Sequence, residues 1–539
     1  MPARPLSFDH VAMGFAHALS ERHGKRAVAL AIPSDWDGNA GSLFAAVDTS
    51  ATHVGHGAIV NLIQGAKRHG LSSSNLWIYH TGVPTHADKG MFIEQIHDNS
   101  YLHVLDAGNI LSIRPSQNNR HGAPIPSSKP PVHENAAGNL TTIDDRGSWW
   151  LNVLGDRRRD PAHVRFRGQA YQLPLALGQI AKTKALLKAR TDAVWVYNSP
   201  LPGFAPRVTL PPAPIAEMFY AQLEDHARML FDSIFVYTAL SLVPARGGFA
   251  ADASPVRGKG GNNVGSVLVS WTGEILSWGL NFGRLNATLH AEVSVIKDWQ
   301  ARNGGIKLPE QNSRLYTSLE PCFMCAGQLA AYHDVPGFTI IYVQTDPKFH
   351  PKPTFLTDAG FETAKADDLG LVYRGKGTGW SSRLAVTQAR LALNAPSAKV
   401  RKSYAESAIS VLNKEASQVR RFAKAAFDLA AMGEKLLSDD DLSGAEREML
   451  METWAGAMKL VMIVGGHVPA DGVMTALRVR EYLNAVGRYL DDTQGQNKAR
   501  AAVEAAYRKR RSGIIIVNKY QMRGIALAER LAEGGLVPG

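Results

Sequence analysis

Four residues in the middle of the chain have the types and the spacing of a catalytic metal site. His290 and Glu292 are separated by one residue, and Cys322 and Cys325 follow about thirty residues later, with two residues between them. Zinc prefers nitrogen and thiolate ligands in a tetrahedral arrangement, and three protein ligands leave a fourth position for water, as catalytic sites do. The pattern predicts one Zn²⁺ per chain, bound by His290, Cys322 and Cys325.

The use of cysteine supports a metal site over a disulfide. Cys322 and Cys325 are the only two cysteines among 539 residues. A disulfide across two intervening residues would close a trivially short loop, so metal binding or redox chemistry is the better interpretation of such a pair.

Glu292 lies two residues beyond the predicted histidine ligand, close enough to reach a water on the metal without binding zinc itself. Zinc makes its bound water much more acidic, so hydroxide is available at neutral pH to attack an amidine-like ring carbon. General acid–base help by a carboxylate contributes roughly 10²–10⁴-fold to such a rate. The order His-x-Glu followed by Pro-Cys-x-x-Cys is the pattern of zinc nucleobase deaminases. We therefore predict hydrolytic deamination of adenine or cytosine.

The surrounding sequence resembles one branch of that superfamily. The stretch TSLEPCFMCAGQL is similar to the tRNA adenosine deaminases of the cytidine deaminase superfamily, and VGSVLVS with GEILSWGLN resembles their opening hairpin. The resemblance covers roughly 150 residues. It implies zinc on His290, Cys322 and Cys325 and proton transfer by Glu292. It also implies a nucleoside contact by Asn281 and a base contact by the backbone of Ala291.

The elements that must position these residues can be read from the pattern of apolar residues. Five strands are predicted, with one helix carrying His290 and Glu292, a second beginning at the cysteines and helix-like residues near 356–366. This order predicts an α/β deaminase core, a five-stranded mixed sheet between helices. The predicted strands are 264–270, 274–280, 314–318, 338–344 and 369–375.

The rest of the chain predicts further domains on both sides of this core. An N-terminal α/β domain is expected from strands at 27–33 and 75–82 and a helix at 56–70. In it, His86-Ala87-Asp88 faintly echoes His-Ala-Glu without a following cysteine pair, so this domain is a plain α/β domain or a degenerate deaminase-like one. A C-terminal helical bundle is expected from apolar residues every three or four positions after Ser417. The predicted domains are 1–115, a linker and basic region 116–214, the deaminase domain 215–380, and the helical domain 381–539.

The charge of the chain favours an anionic partner. The formal net charge is +11, and residues 151–190 contain nine basic residues against two acidic ones. Such a cluster predicts a surface for RNA or single-stranded DNA, although a solvated basic face would have the same composition. The predicted phosphate contacts are Arg157, Arg158, Arg159, Arg165 and Arg167.

Two other functions remain open at this stage. One alternative to a nucleic-acid deaminase is a deaminase of free nucleotides or nucleosides, and the other is a multidomain bacterial conflict protein whose deaminase output a partner regulates. No apolar run is long enough to cross a membrane, and the N-terminus lacks a secretory signal, so a cytoplasmic protein is predicted. Members of the family that the motif resembles commonly self-associate, so a homo-oligomer is one expectation. The alternative is that the extra domains of this chain replace the surface of a partner subunit.

Overall fold

The structure is a computed structural model of the 539-residue chain. It describes residues 8–106, 109–113, 132–135, 140–142, 182–199, 210–245, 264–344, 362–365, 416–492 and 519–538, apart from gaps of one to four residues inside some of these ranges.

The N-terminal part is built on an eight-stranded sheet with the strand order β7-β6-β5-β4-β3-β1-β2-β8. Its central strands are apolar and buried on both faces, because helices lie along the sheet. The strands are β1 (Val28–Pro33), β2 (Phe44–Val47), β3 (Leu76–His80), β4 (Tyr101–Asp106), β5 (Asn109–Ile113), β6 (Val132–Asn135), β7 (Leu140–Thr142) and β8 (Trp195–Tyr197), and the helices are α1 (Phe8–Arg22), α2 (Ala58–Arg68) and α3 (His86–Gln95).

The second sheet has five strands in the order β10-β9-β11-β12-β13. β9 is antiparallel to both β10 and β11, whereas β12 is parallel to β11 and β13. The predicted five-stranded mixed sheet between helices is therefore confirmed. Its strands are β9 (Gly265–Val269), β10 (Ile275–Leu280), β11 (Arg314–Leu319), β12 (Thr339–Gln344) and β13 (Glu362–Lys365), and its helices are α4 (Asp225–Ala245), α5 (Ala291–Asn303) and α6 (Phe323–Ala330).

The hairpin between β9 and β10 is closed by a short turn at Trp271-Thr272-Gly273. Gly273 adopts a φ of +86°, a left-handed conformation that glycine enters without steric cost. The hydroxyl of Ser270 accepts hydrogen bonds from the backbone N–H groups of Thr272 and Glu274 and so closes the turn. The hairpin fixes β10, whose end leads toward His290.

Helix α4 joins the second sheet to the C-terminal helices. It is apolar on most sides because it packs on β9 and β11 with one face and on α7 and α8 with others. A buried ion pair also fastens it to the sheet, with Arg314 Nε of β11 3.1 Å from Asp232 Oδ1 of α4. The C-terminal helices are α7 (Ala416–Leu437), α8 (Gly444–Val464), α9 (Ala476–Asp492) and α10 (Lys519–Glu533).

Most predicted elements are found within about two residues of their expected bounds. The described part of 381–539 is helical, and Ser443 with Glu446 forms a capping box at the start of α8.

Two predictions about irregular or helical segments differ from the structure. Helix-like residues were expected near 356–366, but Glu362–Lys365 is the fifth strand of the second sheet, paired in parallel with β12. A four-residue edge strand is set by the strand beside it and has little pattern of its own. The segment 116–214 was expected to be a linker and basic region, yet β6, β7 and β8 lie in it and extend the N-terminal sheet. The strand predicted at 369–375 lies outside the described residues.

Candidate metal centre

The predicted ligands are placed by two helices that begin at the same edge of the second sheet. His290 is the N-cap residue of α5, and Cys322 is the N-cap residue of α6. Glu292 lies in the first turn of α5, and Cys325 is the third residue of α6. Because β10 and β11 both end at this edge, the two helix N-termini meet there.

The three ligand atoms form a compact triangle. His290 Nδ1 is 3.4 Å from Cys322 Sγ and 3.6 Å from Cys325 Sγ, and the two sulfur atoms are 3.5 Å apart. With Zn–S near 2.3 Å and Zn–N near 2.0–2.1 Å, tetrahedral zinc needs separations of about 3.8 Å between sulfurs and about 3.6 Å between nitrogen and sulfur. The donor types and their separations therefore fit zinc.

Helix direction suits thiolate ligands at this buried site. The N-termini of α5 and α6 carry partial positive charge, which stabilises anions beside them. Cys322 is 6% exposed and Cys325 is 1% exposed. The helix dipoles therefore favour the thiolate form of the cysteines, which is the form that binds a metal ion.

The two thiols titrate as a coupled pair. Burial alone would raise the pKa of Cys322, but its contacts with Cys325 and His290 outweigh burial and hold that pKa well below its usual range. Burial raises the pKa of Cys325 well above its usual range, and the neighbouring Cys322 and Glu292 raise it further. One thiolate therefore forms easily, whereas the second needs a cation in order to lose its proton.

Burial and nearby charges also shift the pKa values of His290 and Glu292. Burial lowers the pKa of His290, but the negative charge of Cys322, with smaller contributions from Glu94 and Glu292, raises it to about 9. Burial raises the pKa of Glu292, and Cys322 adds to the effect. A carboxyl group with a raised pKa holds its proton more strongly than a free carboxyl group does, which suits a general acid–base.

Two further contacts orient the Glu292 carboxyl group. Glu292 Oε2 lies 3.3 Å from Cys325 Sγ, and Glu292 Oε1 lies 2.9 Å from the hydroxyl of Thr317. The Ser266 hydroxyl in turn donates to Thr317 Oγ1 over 2.8 Å. Residues of β9 and β11 thus fix the acid–base group beside the ligand cluster.

The two predicted substrate contacts lie at the same edge of the sheet. Asn281 directly follows β10, is 3% exposed, and accepts a hydrogen bond from the Gly283 N–H through Oδ1. Ala291 is the first residue of α5 and is fully buried. A side chain at Gly279 would collide with the carbonyl oxygen of Ala291, so this glycine lets α5 begin close against β10.

Sequence reasoning missed Thr317, Ser266 and Gly279. Thr317 of β11 and Ser266 of β9 are paired residues in the sheet. Their contact could have been predicted only if the register between these two strands had been known. The strand pattern predicts the strands but not their register, so it gave no signal for this pair. A glycine inside a strand is a signal for close backbone approach, and Gly279 has that position.

Other predicted contacts are not tested by the described residues. Arg157, Arg158, Arg159, Arg165 and Arg167 lie outside them. A second group of potential ligands within the described part consists of His226, Asp439 and Asp441. His226 Nε2 is 3.0 Å from Asp439 Oδ2, which is the geometry of an ordinary ion pair between α4 and the end of α7.

Comparison with known families identifies the segment that holds the site. Residues 257–367 match the model of the Bd3614-like deaminases. The match includes every strand of the second sheet, both helix N-termini and all four residues of the candidate centre. This segment is a deaminase domain. No helix in the described part of the chain is long and apolar enough to span a membrane.

Proposed function

We propose that the deaminase domain is a zinc-dependent hydrolytic deaminase of a nucleobase. The observation that carries the proposal is the cluster of His290, Cys322 and Cys325, with the Glu292 carboxyl group 3.3 Å from a ligand sulfur. Three ligands leave a position for water, and a carboxyl group beside that position is what hydrolysis of an amidine carbon needs.

The residues divide the chemistry between binding and proton transfer. When bound, zinc would supply Lewis acidity and lower the pKa of a water molecule. Glu292 would accept a proton from that water at its carboxylate, deliver it to the ring nitrogen, and help protonate the departing ammonia. Thr317 would hold Oε1 of Glu292 throughout, so that Oε2 faces the ligand cluster.

A base within RNA or single-stranded DNA is the substrate that we propose. The net charge of +11 and the basic residues of 151–190 supply the electrostatic attraction that a phosphate backbone requires. The resemblance of the cysteine motif to tRNA adenosine deaminases favours adenine over cytosine. Free nucleotides or nucleosides form the second candidate class, because the metal centre alone does not distinguish them from a base in a strand.

A substrate panel tests the proposal. The intact chain would be incubated with RNA, single-stranded DNA, duplex DNA and free nucleosides and nucleotides, with ammonia release and sequencing of base changes as readouts. We expect conversion in single strands. Conversion of free nucleotides alone would refute the nucleic-acid proposal while leaving deamination intact, and no conversion of any substrate by the zinc-loaded chain would refute both.

The salt dependence of binding tests the basic region separately. Changing Arg157, Arg158 and Arg159 to Ala should weaken RNA binding and lower the slope of log affinity against log salt by up to about 2–3. A matched triple change of basic residues at Arg508, Lys509 and Arg510 serves as the control. Equal effects of the two triple variants would show that binding follows total charge and not the 151–190 region.

A further inference from the structure

Four strands of the N-terminal sheet have the same arrangement as four strands of the deaminase domain. The order β2-β1-β3-β4 matches the order β10-β9-β11-β12. The directions match as well, because β1 is antiparallel to β2 and β3, while β3 is parallel to β4. In each domain one helix connects the second strand to the third, and another connects the third to the fourth. Helix α2 thus corresponds to α5, and α3 corresponds to α6.

This correspondence assigns a counterpart to each metal ligand. Gly57 is the N-cap residue of α2 with φ −65° and ψ 170°, as His290 is for α5 with φ −69° and ψ 166°. Thr85 directly precedes α3, as Cys322 precedes α6, and Asp88 is the third residue of α3, as Cys325 is of α6. His86-Ala87-Asp88 resembles His-Ala-Glu in sequence, but the two do not correspond in the fold. His86 begins α3, which corresponds to α6, whereas His290 precedes α5.

The Asp88 carboxylate joins the two helix N-termini of the N-terminal domain. Oδ1 accepts hydrogen bonds from the backbone N–H groups of Ile59 at 2.9 Å and Val60 at 3.1 Å. Oδ2 accepts from the backbone N–H of Thr85 at 3.1 Å and from the Thr85 hydroxyl at 2.9 Å. The side chain is fully buried. A fixed anion here meets the N-termini of α2 and α3, where the deaminase domain places its ligand cluster.

The ligand position on α2 is blocked by the same carboxylate. A Cβ atom at Gly57 would collide with the carboxylate of Asp88. A histidine at this position, the counterpart of His290, does not fit while Asp88 is present. The N-terminal site thus has neither the donors nor the space for a metal ion.

The two domains also contact each other reciprocally. Gly90 and Gly327 are the fifth residues of α3 and α6. A Cβ at Gly90 would collide with the carbonyl oxygen of Phe323, the first residue of α6, and a Cβ at Gly327 would collide with that of His86, the first residue of α3. Equivalent residues exchanging equivalent contacts are the mark of a two-fold, isologous interface.

Side chains from each domain also contact the loop before the corresponding helix of the other domain, which is α2 in the N-terminal domain and α5 in the deaminase domain. Gln300 Nε2 donates to the Val54 carbonyl oxygen at 2.6 Å, and Gln328 Nε2 donates to that of Gly55 at 3.2 Å. In the opposite direction, Gln95 Nε2 lies 3.5 Å from the Ala287 carbonyl oxygen, three residues before His290. The N-terminal domain therefore contacts the segment that presents a metal ligand.

We propose that the N-terminal sheet domain is a metal-free counterpart of the deaminase domain, with Asp88 in the place of the metal, and that it serves as the deaminase domain's built-in second subunit. The chain then carries its own two-fold partner and leaves no equivalent face of α6 for another copy. This inference does not depend on which base is deaminated or on whether the catalytic centre is active.

Rebuilding the ligands tests the metal-free site. In a chain whose Cys322 and Cys325 are changed to Ser, the triple change Gly57→His, Thr85→Cys and Asp88→Cys should create a site for Co²⁺ with thiolate charge-transfer absorption. The parent chain with only the two serine changes should show neither the absorption nor bound metal. Metal retained by the parent chain, or a rebuilt chain with unchanged circular dichroism that binds no Co²⁺, would overturn the proposal.

A double-mutant cycle keeps this test decisive if the rebuilt chain does not fold. Gly57→Ala should change the unfolding equilibrium constant roughly tenfold or more when Asp88 is present, because the new Cβ meets the carboxylate. In an Asp88→Ala background, the same change should have a clearly smaller effect. Additive effects would contradict the placement of Asp88 between the two helix N-termini.

The subunit role is tested at the helix crossing. Gly90→Ala and Gly327→Ala should each favour unfolding by a similar factor, roughly tenfold or more, because each adds a Cβ against a carbonyl oxygen of the other helix. Gly456→Ala is the matched control, since Gly456 is also inside a helix and its added Cβ would make only an ordinary contact with Pro211 at 3.7 Å. Sedimentation should show a monomer of 58.4 kDa. A Gly90 variant as stable as the control, or an obligate dimer, would refute the built-in partner.

Discussion

The two sheet domains of this chain place the same pair of helix N-termini at the same edge of the same strand arrangement, but they fill that place differently. In the deaminase domain, a histidine, two cysteines and a glutamate meet there. In the N-terminal domain, a single carboxylate accepts four hydrogen bonds at the corresponding place, and the histidine position is a glycine.

This difference shows that the fold supplies an anion-binding edge and that a few residues decide what occupies it. Helix N-termini stabilise a thiolate, a carboxylate or a phosphate in the same way. At this edge, candidate metal donors are present only where a histidine and two cysteines replace the internal carboxylate. Function therefore resides in the site and not in the fold.

The largest difference between the domains should appear when Cys325 is removed from one helix and its counterpart Asp88 from the other. Cys325→Ala removes a metal ligand and should abolish both metal binding and activity, as measured by elemental analysis and ammonia release. Met324→Leu, a volume-conserving change at a buried neighbour on α6, should preserve both. Activity that survives in the metal-free Cys325 variant would contradict the catalytic role of the cluster.

Asp88→Ala should instead destabilise the chain and leave its metal in place. The change leaves the backbone donors of Ile59 and Val60 buried without their acceptor, at a cost of about 3 kcal/mol in the free energy of unfolding. Asp88→Asn retains one acceptor oxygen and should cost less. Urea unfolding measures the effect, and a stable variant that has lost its metal would reverse the assignment of the two sites.

A third contrast concerns Lys297 in α5 and its counterpart Gln64 in α2, each seven residues after the N-cap residue. Lys297 Nζ is buried 3.3 Å from His56 Nε2, and burial lowers the pKa of Lys297 from 10.5 to about 7. Burial also lowers the pKa of His56, and Lys297 adds to that effect.

Between about pH 7 and pH 10.5, Lys297 is protonated in the unfolded state but has lost its proton in the folded state. The free energy of unfolding should therefore rise with pH over this range, by at most about 1.4 kcal/mol per pH unit. Lys297→Gln makes the two helices alike and should remove this slope. Denaturant unfolding between pH 7 and 9 measures it, with exposed Lys435→Met as the control. An unchanged slope in the Lys297 variant would place the pH dependence elsewhere.

The smallest expected effect concerns the orientation of Glu292. Thr317→Val removes the hydroxyl 2.9 Å from Glu292 Oε1 and should lower kcat about tenfold, which corresponds to one hydrogen bond of about 1.4 kcal/mol. Thr317→Ser keeps the hydroxyl group and should retain most of the activity. Equal rates for the Val and Ser variants at equal metal content would show that Glu292 is positioned without Thr317.

Most of the strands were predicted from the sequence, as was the meeting of His290, Glu292, Cys322 and Cys325 in one cluster, because both depend on local patterns. Residue type and spacing along two helix starts were enough to bring these four residues together in the prediction. The strand β13 and the added strands β6 to β8 were not predicted, because short edge strands take their structure from a neighbouring strand.

The correspondence between the two domains could not be predicted from the sequence either. It depends on strand directions and on which residue begins each helix, and the only local echo, at His86, pointed to the wrong helix. The role of Asp88 became visible only when the backbone donors of α2 were placed beside it.

The most direct test of the central claim is the activity of Glu292→Gln at equal metal content. Glutamine keeps the shape of the side chain but cannot hold and release the proton, while His290, Cys322 and Cys325 remain. We expect one zinc per chain in both proteins and deamination slower by roughly 10²–10⁴-fold in the variant. A zinc-loaded Glu292→Gln chain that deaminates its substrate at the wild-type rate would contradict the account.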